Sequence, residues 1–164
     1  QVYVEYETGL KIWVNGNFEE NWIVKVNERE YILPPAGYLG VLEGKIEVFS
    51  VLKDGYRIDY AYTPEYVYVD GRGVFTKFKG ISTDGQVEIK KENNNLRIIP
   101  VGKVKKIIIE PFYFNMDKKI FYITKYDAIK RKKISSVKVI GKEIEIDTEI
   151  LSSNYGEVKH FIIN

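Results

Sequence analysis

Hydrophobic and polar residues alternate along most of the chain. In "VYVEYE", Val2, Val4 and Tyr6 share one side, and Leu10, Ile12 and Val14 repeat the pattern, as do Trp22, Val24 and Val26. A period of two is that of a strand whose faces meet different surroundings. The same alternation runs through "REYIL", "YLGVL", "KIEVFSVL", "YRIDYAY", "EYVYV", "VFTKF", "QVEIK" and "LRIIP". Between the runs stand Asn15-Gly16, Glu43-Gly44, Asp54-Gly55, Asp70-Gly71 and Asp84-Gly85. Asp-Gly and Asn-Gly tolerate the positive φ of tight turns. Turn signals recurring at about 8–12 residues predict a sandwich or barrel. The best helix candidate, "KYDAIKRKK" at 125–133, is short and has no apolar stripe.

The segment "KENNNLRIIPVGK" at 91–103 reads as a boundary, because three asparagines close one run of hairpins and Pro100 and Gly102 interrupt the next strand. The pattern therefore predicts an all-β chain: an antiparallel β-sandwich over 1–95, then a smaller immunoglobulin-like or sandwich-completing β module over 96–164. Composition agrees, since 13 tyrosines and 8 phenylalanines accompany many Val and Ile, all of which suit a pleated, half-buried surface.

Charge and residue inventory narrow the chemistry. A formal net charge of +2 is too small to gather nucleic acid. With no cysteine, disulfides, thiolate metal sites and thiol nucleophiles are excluded. His160 is the only histidine, so no multi-histidine zinc site can form. Neither a metal nor a cofactor is expected. No apolar run approaches the roughly 20 residues of a membrane span. The abrupt strand-like opening at Gln1 suggests an excerpt or a processed product, and an extracellular or cell-surface setting is favoured slightly.

The sharpest local feature is Asp70-Gly71-Arg72-Gly73. Asp70 could serve as a base, or Arg72 with neighbouring backbone N–H groups as an anion cradle. Equally, the glycines supply unusual dihedrals and the segment is a turn, which is the favoured reading. No phosphate-loop lysine or helix start follows it. Asp59, Glu65 and Asp70 do not read as a facing carboxylate pair of the kind glycoside hydrolysis needs. No catalytic residue is assigned. Tyr60, Tyr62, Tyr66 and Tyr68 could make a flat platform for stacking sugar rings, or else fill a core with their hydroxyls at its rim. Trp13 lies on the face opposite Ile12 and Val14, where it is exposed or meets a neighbouring domain; Trp22 is in phase with the core. The basic run from Lys130 to Lys133, preceded by Lys125, reads as a solvated loop. His160 reads as a partly buried strand residue.

The order of motifs carries a resemblance. A strand with Tyr6, Gly9, Leu10 and Asn15 precedes a turn with Leu33, Pro34, Pro35 and Gly37. Over about residues 3–85, this arrangement resembles the β-sandwich region that follows the catalytic barrel in several large glycoside hydrolases and related uncharacterised proteins. The resemblance implies a non-catalytic C-terminal accessory domain, packed on an upstream catalytic domain of the same polypeptide, with carbohydrate as a potential ligand. The candidate contacts are Trp13, Tyr60, Tyr62, Tyr66, Tyr68, Asp70 and Arg72. A carbohydrate-binding module with an aromatic platform, or a stand-alone structural surface or virion protein, are the alternatives.

Overall fold

A computed structural model describes residues 1–118, 120–127, 132–147 and 159–164. Among these, regular structure is strand apart from one 3-10 turn, and the fold is an all-β antiparallel sandwich. The chain divides into two compact units, Gln1–Tyr68 and Val69–Asn164.

In the first unit, β1 (Val2–Glu5), β2 (Lys11–Val14), β5 (Tyr38–Leu42), β6 (Ile46–Lys53) and β7 (Tyr56–Tyr62) lie side by side in that order. A hairpin of β3 (Trp22–Val26) and β4 (Arg29–Leu33) joins them where Ile32 pairs with Leu52. Register places Tyr3, Trp13, Leu39, Phe49 and Tyr60 in one row across the five strands. Phe49 stacks on Tyr60 at 5.0 Å, and Tyr31 of the hairpin reaches Phe49 at 5.9 Å. This face is therefore the one the hairpin helps to bury, and Leu33, Leu39 and Val24 complete its core. Burying an aliphatic side chain is worth about 1.5–3 kcal/mol, which favours apolar residues at the buried positions of these strands.

In the second unit, β8 (Tyr66–Asp70), which crosses the division of the chain, leads through its last residues to β11 (Gln86–Glu92). Next to β11 come β12 (Asn95–Val101), β17 (Lys159–Ile163), β14 (Ile120–Asp127) and β15 (Lys132–Ile140). A second sheet has the order β16 (Ile144–Asp147), β13 (Lys106–Ile109), β10 (Ile81–Thr83), β9 (Thr76–Lys77). Both sheets turn apolar faces inward: Val87, Ile89, Leu96, Ile98 and Ile163 from the first, Ile81, Ile107, Ile109 and Ile144 from the second.

The asparagine run forms a hairpin turn. Glu92 pairs with Asn95, so Asn93 and Asn94 form the two-residue turn of the β11–β12 hairpin, with Asn93 at φ +55°. Asparagine suits that left-handed position better than most residues. β12, which begins at Asn95, pairs with β11 before it and β17 after it, and β13 pairs with β10. In the segment 125–133, the described residues are the end of β14 and the start of β15, in place of any helix; Lys130 and Arg131 lie outside the described residues, and Lys133 is exposed.

Candidate functional site

Asp70 sits at the end of β8 and is almost fully buried. Its Oδ1 accepts the backbone N–H of Arg72 at 2.7 Å, and its Oδ2 accepts Nε2 of Gln86 at 3.2 Å. Both carboxylate oxygens thus hold local structure. Arg72 and Gly73 take φ +49° and +88°, and Val74 N–H closes the turn on the Gly71 carbonyl at 2.9 Å.

The loop also docks on another. Gly71 N–H donates to Gly85 O at 3.3 Å and Gly73 N–H to Asp84 O at 2.7 Å. The Asp84 carboxylate in turn accepts the N–H groups of Lys105 and Lys106 at 3.0 and 3.3 Å, and Thr83 Oγ1 accepts Gly85 N–H at 3.2 Å. Neither Asp-Gly pair is a hairpin turn. Asp70-Gly71 carries the chain from β8 to β9, and Asp84-Gly85 carries it back from β10 to β11, each time between sheets. The two crossings are clasped backbone to backbone. A Cβ on Gly71 would stand 2.5 Å from Val74 O and 2.7 Å from Thr83 O, so only glycine fits the clasp.

The tyrosines do not form one platform. Thr63 and Tyr66 exchange N–H···O bonds of 2.8 and 3.3 Å around Pro64-Glu65. That two-residue turn sets Tyr62 opposite Val67 and Ala61 opposite Tyr68. Tyr60 and Tyr62 therefore share the Phe49 face, whereas Tyr66 and Tyr68 point to the other. Tyr60 is itself core, only 4% exposed, and burial pushes its phenol well above the ordinary range. Tyr31 donates its hydroxyl to Glu47 at 2.9 Å, and that carboxylate also meets Arg29 at 3.8 Å. Trp13 lies on the face opposite Ile12 and Val14, half-buried, with Tyr3 against it at 5.0 Å. Glu65 is exposed in its turn, and Asp59 lies mid-strand on the face away from Tyr60. His160 is half-buried on β17; burial, with Arg97 nearby, lowers its pKa.

The motif residues behind the resemblance do meet. Asn15 is fully buried, and its Nδ2 donates to the carbonyls of Glu20, Leu33 and Pro34 at 2.8, 2.9 and 3.1 Å. Its Oδ1 accepts Asn17 N–H at 3.1 Å. Arg57 grips the same turn from β7, donating to Pro35 O, Ala36 O and Ser50 Oγ at 3.2, 3.1 and 2.8 Å. Asn15-Gly16, which reads in sequence as a turn, is instead a peg inserted into the Leu33–Gly37 loop.

A groove of about 400 Å³ in the second unit has no counterpart in the sequence reading. The 3-10 turn Pro111–Phe114 borders it, with Pro111 and Phe114 inward and the rings of Phe112 and Tyr113 outward, 74% and 49% exposed. Glu110, at the turn's N-terminus, lines the groove; its Oε1 binds Lys77 Nζ at 2.8 Å, while buried Oε2 accepts no hydrogen bond among the described residues. The Glu110 carboxylate in turn raises the pKa of Lys77. The signal available in sequence was "EPFYF", a proline-led aromatic cluster without strand period. Among the described residues, no three metal-ligating side chains converge, and no helix is long and apolar enough to cross a membrane. No family model, curated protein or solved structure matches the chain.

Proposed function

We propose that the chain is a non-catalytic accessory β-domain of a carbohydrate-active protein, docking on a catalytic domain of the same polypeptide. The observation that carries this reading is an exposed apolar face on the first unit. Register sets Val2, Val14 and Tyr38 in one row across β1, β2 and β5, with Val4 and Ile12 in the next. Val2, Val4, Val14 and Tyr38 are 53, 39, 38 and 40% exposed. A contiguous apolar patch on a sheet face marks a surface that another protein surface covers. The Asn15 and Arg57 contacts support the same reading, because they fix the shape of this unit through backbone carbonyls and leave those side chains no role in a reaction.

The test is the size of the native polypeptide, read by immunoblot of source cells and medium with an antibody against this chain. A band several times larger than 19.1 kDa is expected; a band at 19.1 kDa overturns the reading. In the larger polypeptide, Val4→Lys with Val14→Lys is expected to open the domain junction to limited proteolysis. The same pair should leave the melting temperature of the isolated chain nearly unchanged, because both side chains are already exposed in it.

A further inference from the structure

We propose that the groove beside the 3-10 turn binds a neutral saccharide, with Phe112 and Tyr113 as the stacking surface and the exposed carboxylates of Asp117 and Glu143 as hydroxyl acceptors. The choice of ligand rests on the carbohydrate reading above; the site rests on the geometry of the groove.

The turn is built to hold its two rings still. Glu110 O accepts Tyr113 N–H at 3.1 Å, Phe112 O accepts Asn115 N–H at 3.1 Å, and Pro111 O accepts Met116 N–H at 3.2 Å. Asn115 closes it in the left-handed region at φ +59°. Beneath it, Gly80 O accepts Glu110 N–H at 2.9 Å, and a Cβ on Gly80 would stand 2.8 Å from Tyr113 Cβ. The turn is thus seated directly on the Gly80 backbone. Exposing two large rings on so constrained a segment costs burial that a loop of small polar residues would not forgo. The ring centroids stand 6.1 Å apart with their planes crossing at 76°.

The polar lining selects the ligand class. Glu110, Asp117 and Glu143 face the groove together with Lys118 and Lys142. Donors and acceptors are both present and the charges nearly balance, so neither a phosphate nor a strong cation is favoured. A sugar ring has apolar C–H faces for the aromatics and a rim of hydroxyls that both donate and accept. The volume, about 400 Å³, is within the usual range of small-ligand sites.

The test is affinity electrophoresis of the 164-residue chain through gels containing neutral soluble polysaccharides: an α-glucan, a β-glucan, a xylan and a galactomannan. Retardation in at least one gel is expected, with Phe112→Ala or Tyr113→Ala weakening the binding about tenfold and the double variant abolishing it. Both rings are exposed, so these variants should keep the parent circular dichroism and melting temperature. Glu143→Gln, which keeps the shape of an exposed side chain, should weaken binding without moving the stacking contribution of the rings. No retardation in any gel, or retardation that survives the double variant, overturns the proposal. Retardation lost only in Trp13→Ala would also overturn it and move the sugar to the first unit. None of these outcomes alters the native size seen on the immunoblot, so the two readings fail separately.

Discussion

The side-chain amide of Asn15 donates to the carbonyl of Leu33, 18 residues ahead, at 2.9 Å and wholly out of water. The same nitrogen reaches Glu20 O and Pro34 O. Backbone bonds run alongside, from Asn15 N–H to Gly37 O at 2.8 Å and from Ala36 N–H to Asn15 O at 2.9 Å. A proline pair cannot donate hydrogen bonds, so the Leu33–Gly37 turn must be held by donors brought to its carbonyls. Asn15 brings them from below and Arg57 from β7. Two sequence motifs that look independent are therefore one device.

Removing that device should be expensive. Asn15→Ala is expected to destabilise the chain by about 3 kcal/mol, because it withdraws the amide donor from buried carbonyls and leaves a small cavity. Asn15→Asp should cost at least as much, since it turns a carboxylate oxygen toward carbonyl oxygens. Urea unfolding followed by circular dichroism measures both. A loss below about 1 kcal/mol for the alanine variant would mean that the backbone bonds alone hold the turn.

The clasp between the two sheet crossings makes a contrasting pair of glycine variants. Gly71→Ala drives a methyl into two backbone oxygens that other bonds fix in place, and about 3 kcal/mol or more should be lost. Gly55 has φ +82° in the β6–β7 turn with open space around it, so Gly55→Ala should cost only the dihedral strain, about 1 kcal/mol. Equal losses at the two positions would refute the close approach at Gly71.

Asp70 separates geometry from chemistry. Asp70→Ala removes the acceptor for Arg72 N–H and the partner of Gln86, and should cost about 2 kcal/mol. Asp70→Asn keeps an oxygen for Arg72 N–H, and the Gln86 amide can rotate to accept from the new NH₂. The asparagine variant should therefore recover most of the loss in thermal unfolding. Failure of asparagine to recover more than half would show that the negative charge itself is needed.

Strands were legible because a sheet with one dry face writes its period into the chain: in β11 and β12, Val87 and Ile89, and Leu96 and Ile98, are buried between more exposed neighbours for that reason. Facing relations were less legible because they depend on turn length. Tyr60, Tyr62, Tyr66 and Tyr68 are all even-numbered, which reads as one face. The two-residue turn at Pro64-Glu65 pairs even positions with odd ones and sends the second pair to the opposite side. "TPEY" could have given that away. Asp-Gly was also ambiguous, since it suits a crossing between sheets as well as a hairpin, and only tertiary contact distinguishes them. The groove escaped notice because Phe112 and Tyr113 are adjacent in a 3-10 turn, where outward-facing residues have no period to read.

His160 gives a pH dependence with a definite sign. Burial lowers its pKa below the ordinary value near 6.5, with Arg97 acting in the same direction and Glu92 partly opposing it. Arg97 is held by Glu92 through Nε at 3.1 Å and Nη2 at 2.8 Å, so its charge stays beside the imidazole. The folded state thus resists a proton that the unfolded chain accepts. As pH falls through about 6.5, the unfolded state gains protons first and stability declines until the folded imidazole also titrates. Urea midpoints at pH 7.5 and 5.5 should therefore drop for the parent chain, and drop less for His160→Gln, which cannot titrate. Arg97→Gln should raise the histidine pKa, as read by the C2 proton in NMR, and shrink the same decline. An unchanged pH slope in His160→Gln would assign the decline to carboxylates elsewhere in the chain and refute the coupling of His160 to folding.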